Sequence, residues 1–123
     1  MIKLLHVDDE ADILDIARMS FELFGSFEVV SCLSGETALL AAKQITPDVF
    51  LLDVMMPGMT GPQTLAALRD IPGLVDVPAI FLTASEHDGK GSELLATGAI
   101  AVLEKPFDPL TLGDQIKALL EGQ

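Results

Sequence analysis

Five short segments of the chain are almost continuously apolar, and they recur at intervals along its whole length. Their sequences are IKLLHV from Ile2, FEVVSC from Phe27, DVFLLD from Asp48, AIFLT from Ala79 and AIAVLE from Ala99. Each segment is rich in branched and aromatic residues, which is typical of β-strands. Strands that are apolar on both faces belong in a parallel sheet covered by helices on each side. The pattern therefore predicts five strands of such a sheet.

The segments between these strands carry the spacing of amphipathic helices. From Glu10 to Phe24 apolar residues recur every three or four positions, and Gly25 then ends the pattern. A second helix, capped by Ser34, is predicted to run to about Gln44, and a third is predicted over residues 62 to 70. These helices are the crossovers that parallel strands require.

The last two predicted helices differ in how strongly the sequence favours them. The fourth is predicted to be short or frayed, because Gly89 and Gly91 fall in its first turn and each glycine costs roughly 1 kcal/mol relative to alanine. The fifth is predicted from an Asp108 cap, with Pro109 at its first position, to about Leu120. Five strand and helix units in alternation predict a doubly wound α/β fold, with a ligand crevice at the carboxyl ends of the strands.

The composition and charge of the chain limit the number of domains, the cellular compartment and the partners that we expect. A chain of 123 residues suits one domain, and 50% hydrophobic residues suffice for a core without disulfides. Cys32 is the only cysteine and the N-terminus has no signal-peptide pattern, so we expect a cytoplasmic protein. No apolar run approaches the roughly 20 residues that span a bilayer. The formal charge of −12 repels nucleic acids and anionic lipids, so we expect no direct nucleic acid partner and no membrane insertion.

Polar side chains stand where four of the five predicted strands end. Asp8 and Asp9 follow the first strand, Asp53 ends the third, Thr83 ends the fourth and Lys105 follows the fifth. The carboxyl ends of parallel strands meet at one edge, so three carboxylates converge there and repel one another. A hard divalent cation such as Mg²⁺ offsets that repulsion, and Lys105 adds a fixed positive charge. Such a set suits attack by a carboxylate on phosphorus.

Four motifs in order along the chain carry a resemblance that covers nearly all of it. VDDE, LLDVMMPGMTG, LTA and EKPFD resemble the receiver domain of two-component response regulators. The resemblance implies a flavodoxin-like (βα)5 fold with strand order 2-1-3-4-5, one receiver domain over residues 1–123 and no output domain. It also implies that Asp53 is phosphorylated by a histidine kinase or a histidine phosphotransfer protein.

The resemblance assigns roles residue by residue. Asp53 matches the phosphoacceptor, Asp9 the direct Mg²⁺ ligand, and Asp8 an acid that acts largely through water. Met55 would supply its backbone carbonyl to the metal, whereas its side chain would not bind. The loop that shapes the wall after the phosphoacceptor is matched by three residues, Pro57, Gly58 and Gly61.

The remaining motifs match the catalytic and switch residues of the family. Thr83 matches the switch hydroxyl, Ala84 the small residue that leaves room for the phosphoryl group, and Lys105 the catalytic lysine, followed by Pro106 in a cis peptide bond. One position departs from the pattern, because Val102 stands where receivers often carry an inward-turning aromatic residue. We therefore hypothesise that loop and helix order over residues 84 to 104, rather than an aromatic rotamer, reports phosphorylation.

The implied function is two-component signalling. The domain would accept a phosphoryl group on Asp53 with Mg²⁺, shift the surface of the fourth helix, fifth strand and fifth helix, and so control an effector protein. We expect a monomer or a weak phosphorylation-dependent dimer, with catalysis limited to its own phosphorylation and dephosphorylation. His6 is predicted to be a packed, hydrogen-bonded core residue, His87 to be solvated, and Glu10 to favour the start of the first helix.

Three alternatives remain open from the residues alone. A phosphatase or mutase of the haloacid dehalogenase type also forms an aspartyl phosphate, but it would want an acid where this chain has Met55. A second alternative is an interaction module of the same fold that no longer phosphorylates. The third, a flavin protein of flavodoxin type, is disfavoured because acids stand after the first strand where the flavin phosphate would bind.

Overall fold

The computed structural model describes residues 1–24, 26–84 and 91–123, in which strands and helices alternate as predicted. The strands are β1 (Ile2–Val7), β2 (Phe27–Cys32), β3 (Val49–Asp53), β4 (Ala79–Thr83) and β5 (Ala101–Glu104). The helices are α1 (Ala11–Phe24), α2 (Gly35–Ile45), α3 (Gly61–Arg69), α4 (Gly91–Leu95) and α5 (Leu112–Glu121). Within these residues, every helix falls short of the length and apolarity that crossing a bilayer requires.

The five strands form one parallel sheet in the order β2-β1-β3-β4-β5, which confirms the predicted topology. Between β1 and β3, Val7 lies opposite Leu52. One step further along both strands therefore brings Asp8 beside Asp53. The register of the sheet, set by its apolar residues, thus places the acids that follow two different strands at the same edge.

The core lies in two clusters, one on each face of the sheet, because neighbouring residues of a strand point to opposite faces. Leu5 and Leu52 belong to the cluster beneath α2 and α3, and Leu4 and Leu51 belong to the one beneath α1 and α5. All four of these leucines are fully buried. Burial on both faces explains why the strands read as continuous apolar runs in the sequence.

The helix signals in the sequence were mostly accurate. The Ser34 side chain caps α2 by accepting a hydrogen bond from the Thr37 amide at 3.1 Å, as predicted. Thr60 caps α3 in the same way, so α3 begins one residue earlier than expected. The five residues of α4 agree with the prediction of a short helix. Gly89 and His87 lie outside the described residues.

The predicted start of the last helix was wrong. Its first residue is Leu112, preceded by Thr111, rather than Pro109 after an Asp108 cap. The Asp108 carboxylate instead accepts a hydrogen bond from the Leu110 amide at 3.0 Å, and this bond closes a separate turn. The motif of an acid before a proline therefore marks a turn that leads into α5.

The prediction that His6 is hydrogen-bonded was also wrong. The residue is fully buried in β1 as expected, but neither ring nitrogen has a hydrogen-bond partner within the described ranges. Burial, together with the positive charges of Lys105 and Arg18, lowers the pKa of His6 to about 3. The ring is therefore neutral at physiological pH, and its buried polar atoms cost stability.

This burial generates a stability prediction for His6→Leu. Because the unfolded chain binds the proton near pH 6.5 and the folded protein only near pH 3, acidification across that window favours unfolding. We expect the variant to gain about 1 to 3 kcal/mol in free energy of unfolding at pH 7. Its advantage should grow by about 1.4 kcal/mol for each pH unit below 6.5.

Urea unfolding followed by circular dichroism at pH 7 and pH 5 measures both quantities. An advantage that shrinks on acidification would contradict the buried, neutral state of this ring.

Candidate functional site

The carboxyl edge of the sheet is extended by one residue on two strands. The amide of Asp8 donates to the carbonyl of Cys32 at 3.1 Å, and the amide of Lys105 donates to the carbonyl of Thr83 at 2.9 Å. Both residues therefore keep the alternation of their strands. With Asp53 at the end of β3, their side chains leave from the face that carries α1 and α5.

Lys105 is the centre of this cluster. Its Nζ lies 2.8 Å from Oδ2 of Asp8, 3.3 Å from Oδ1 of Asp53 and 3.5 Å from Oε1 of Glu10. The side chain of Asp8 is fully buried, and those of Asp53 and Lys105 are 9% and 10% exposed. Charged groups this poorly solvated depend on one another for stabilisation.

Three consecutive acids form a group beside the lysine. Carboxylate oxygens of Asp8, Asp9 and Glu10 all lie within 4.8 Å of one another. The Asp8 carboxylate accepts a hydrogen bond from the Glu10 amide at 2.9 Å, which tightens the turn between β1 and α1. Glu10 therefore contributes its side chain to the cluster, a role that sequence reasoning missed. Its position beside the paired aspartates was the available signal.

The ionisation of Asp53 reflects its crowded surroundings. Burial and the negative charge of Asp8 raise the pKa of Asp53 to about 6, although Lys105 opposes the shift, and a contact with the Asp9 carboxyl adds to it. Burial acts to lower the pKa of Lys105, but the hydrogen bond to Asp8 and the charges of Asp53 and Asp8 outweigh it and raise the pKa. The lysine stays charged, whereas Asp53 is half-protonated near pH 6 and largely ionised at neutral pH.

The donor set of the cluster fits a hard divalent cation. Among the described residues it brings four carboxylates around a single ammonium group, so negative charge remains in excess. Carboxylate oxygens are the ligands that Mg²⁺ prefers. Asp8, Asp9 and Asp53, predicted from the sequence to surround a metal, thus share one edge. Met55 follows Asp53 by two residues and is 69% exposed.

The residues assigned to the switch and pocket lie on the neighbouring strands. Thr83 ends β4 and is buried, and Ala84 follows it as an exposed residue. Val102 on β5 lies opposite Phe81 on β4. It is half-buried and packs against the core cluster beneath α2 and α3. The peptide bond between Lys105 and Pro106 is cis, as predicted.

A five-stranded flavodoxin-like sheet with carboxylates and a lysine at its carboxyl edge defines a class of signalling domain. The family model of the response regulator receiver domain matches residues 4–117. The chain therefore belongs to the response regulator receiver family of two-component signalling.

Curated relatives agree with this assignment. The transcriptional regulatory protein YvrH of Bacillus subtilis is 36% identical over 118 residues, which cover 96% of this chain and 48% of YvrH. The phosphate regulon transcriptional regulatory protein PhoB of Rhizobium meliloti is 35% identical over 118 residues, which cover 96% of this chain and 52% of PhoB. This chain therefore spans about half the length of these two relatives.

Solved structures of the same kind superpose over almost the whole chain. The chemotaxis protein CheY4 of Vibrio cholerae matches with a TM-score of 0.89 and 33% identity, covering 97% of this chain and 98% of CheY4. The receiver domain of the Francisella response regulator 1452 matches with a TM-score of 0.86 and 27% identity, covering 99% and 98%.

The raised pKa of Asp53 generates a prediction for Asp53→Asn. The carboxyl binds its proton near pH 6 when folded and near pH 3.8 when unfolded, so its ionisation reduces stability as the pH rises through this window. In buffer with EDTA we expect the variant to gain about 1 to 3 kcal/mol in free energy of unfolding at pH 7.5 and little at pH 4.

Urea unfolding at the two pH values measures this difference. The control is Asp76→Asn, which changes an exposed aspartate in the turn before β4 and should alter stability little at either pH. An equal gain at both pH values would contradict the proposed repulsion at Asp53.

Proposed function

We propose that Asp53 accepts a phosphoryl group from a phosphohistidine of a histidine kinase or histidine phosphotransfer protein. The observation that carries the proposal is the position of its carboxylate, 3.3 Å from the Lys105 ammonium and beside an acidic cluster with excess negative charge. Such a site holds a nucleophile and positive charge together, as attack on phosphorus requires.

In the proposed step an oxygen of the ionised Asp53 carboxylate attacks phosphorus in line with the bond to the donor nitrogen. The new P–O bond forms as the P–N bond breaks, and the bonding electron pair leaves with the imidazole nitrogen, so the product is an acyl phosphate. A pKa of about 6 leaves Asp53 largely ionised at neutral pH. Lys105 neutralises charge on the phosphoryl oxygens, and the Thr83 hydroxyl donates a hydrogen bond to one of them.

Asp9, Asp53 and the backbone carbonyl of Met55 would hold Mg²⁺ directly, with Asp8 acting largely through water. The bound ion would neutralise oxygen charge during transfer. The exposure of the two acids supports this division. Asp9 is exposed, whereas Asp8 is fully buried, with one oxygen on Lys105 and the other on the Glu10 amide.

The output of the domain is proposed to be a shift in the surface formed by α4, β5 and α5, which then contacts an effector protein. Ala84 leaves room for the phosphoryl group beside Thr83. Val102 occupies the position at which receivers often carry an aromatic switch residue. The names of YvrH and PhoB describe transcriptional regulators, so an effector that binds DNA fits this proposal. We further propose that the domain works in the cytoplasm, as a monomer or a weak phosphorylation-dependent dimer.

Labelling by acetyl phosphate in the presence of Mg²⁺ tests the chemistry directly. We expect one phosphoryl group per chain, stable in acid and labile in base, and none on Asp53→Asn, which lacks the nucleophilic carboxylate. Asp48→Asn, a second aspartate beside β3, should be labelled like the wild type. Persistent labelling of Asp53→Asn at the same stoichiometry would remove Asp53 from its role. Multiple turnover of a phosphate ester would instead favour a phosphatase of the haloacid dehalogenase type.

The division of labour between the paired acids is tested by calorimetric titration with Mg²⁺. We expect a loss of affinity of about a hundredfold for Asp9→Ala, which removes a direct ligand, and about tenfold for Asp8→Ala, which removes an indirect one. Circular dichroism checks that both variants are folded. Equal losses would contradict the assignment of Asp9 as the direct ligand.

A further inference from the structure

Gly61, the first residue of α3, brings the chain back to the peptide that follows the phosphoacceptor. Its amide donates a hydrogen bond to the carbonyl of Val54 at 2.8 Å, which closes the loop between β3 and α3. The loop therefore returns to the residue beside Asp53 at the point where α3 begins.

The approach at this point leaves no room for a side chain. A Cβ atom on Gly61 would overlap the carbonyl oxygen of Asp53 and would lie 3.0 Å from both the carbonyl carbon of Asp53 and the Cα of Val54. All three are backbone atoms, so a change of rotamer cannot relieve the overlap. Either the start of α3 or the peptide between Asp53 and Val54 must move.

That peptide also holds the Asp53 side chain. The amide of Val54 belongs to the same planar unit as the Asp53 carbonyl, and it donates to Oδ1 of Asp53 at 2.9 Å. The same oxygen lies 3.3 Å from Nζ of Lys105. A displacement of the peptide is thus transmitted to the atom that contacts the lysine, and to the Met55 carbonyl one residue further on.

We infer that Gly61 is a positioning residue for phosphoryl transfer, whose missing side chain lets α3 hold the Asp53 carboxylate at its distance from Lys105. The inference rests on the proposed function for its kinetic consequence, but the geometric part stands on the contacts alone. A carboxylate misplaced by about 1 Å loses roughly a hundredfold in rate.

Three glycines that each begin a helix provide a matched test. Gly61→Ala places its methyl group against the backbone of the phosphoacceptor. Gly35→Ala, at the start of α2, places it against side-chain atoms of Thr64 and Met59 rather than against backbone atoms of Asp53 and Val54. Gly91→Ala, at the start of α4, meets nothing within 4 Å among the described residues. The second variant controls for destabilisation by overpacking, and the third controls for the substitution itself.

The variants are compared with the wild type in three measurements, at a temperature where circular dichroism shows each to be folded. These are the rate of labelling by acetyl phosphate at saturating Mg²⁺, the Mg²⁺ affinity by calorimetry, and the proton chemical shift of the Val54 amide by NMR. For Gly61→Ala we expect labelling ten- to a hundredfold slower, weaker Mg²⁺ binding and an upfield shift that reports a longer hydrogen bond to Asp53. Gly35→Ala and Gly91→Ala should match the wild type.

The inference would be overturned if Gly61→Ala matched the wild type in all three measurements. It would also be overturned if Gly61→Ala and Gly35→Ala showed equal losses, because the glycine would then matter only for packing. Absence of labelling in the wild type itself would overturn the proposed function instead. The Val54 amide shift still decides the role of Gly61 in that case, since it requires neither metal nor phosphate.

Discussion

Repulsion among carboxylates at the carboxyl edge of the sheet is the constraint around which this domain is organised. Four acids from β3 and the β1 to α1 turn lie around one lysine, whose ammonium group is 2.8 Å from a fully buried aspartate. Burying like charges together costs several kcal/mol unless positive charge is placed among them. The lysine supplies one charge and leaves an excess that suits a divalent cation.

The apolar sheet determines where these charged residues meet. Its strands are buried on both faces, so their register is fixed by core packing and a slip of one residue would turn every side chain to the opposite face. The register of β1 against β3 carries Asp8 to Asp53, and the backbone pairing that continues past β5 carries Lys105 to the same edge. Core packing thus brings Asp8, Asp53 and Lys105 together at one edge. The carboxylate repulsion that remains there suits a divalent cation.

The fold and the grouping of the site residues could be predicted from the sequence, because both depend on strand register and on strand ends. The errors concern the hydrogen bonds of individual side chains, which the patterns of strands and helices do not determine. The Asp108 carboxylate closes a turn with Leu110 rather than capping α5, and His6 is buried without a hydrogen-bond partner within the described residues. The role of Glu10 was missed because its helix position and its contact with Lys105 are satisfied together.

The carboxylate cluster as a cation site is tested most directly by the thermal stability of the wild-type protein as a function of Mg²⁺ concentration. A cation that binds only the folded carboxylate cluster stabilises the fold in proportion to the logarithm of its concentration above the dissociation constant. We expect millimolar Mg²⁺ to raise the Tm well beyond the effect of NaCl at equal ionic strength. A Tm that responds identically to the two salts would contradict a metal site at this edge of the sheet.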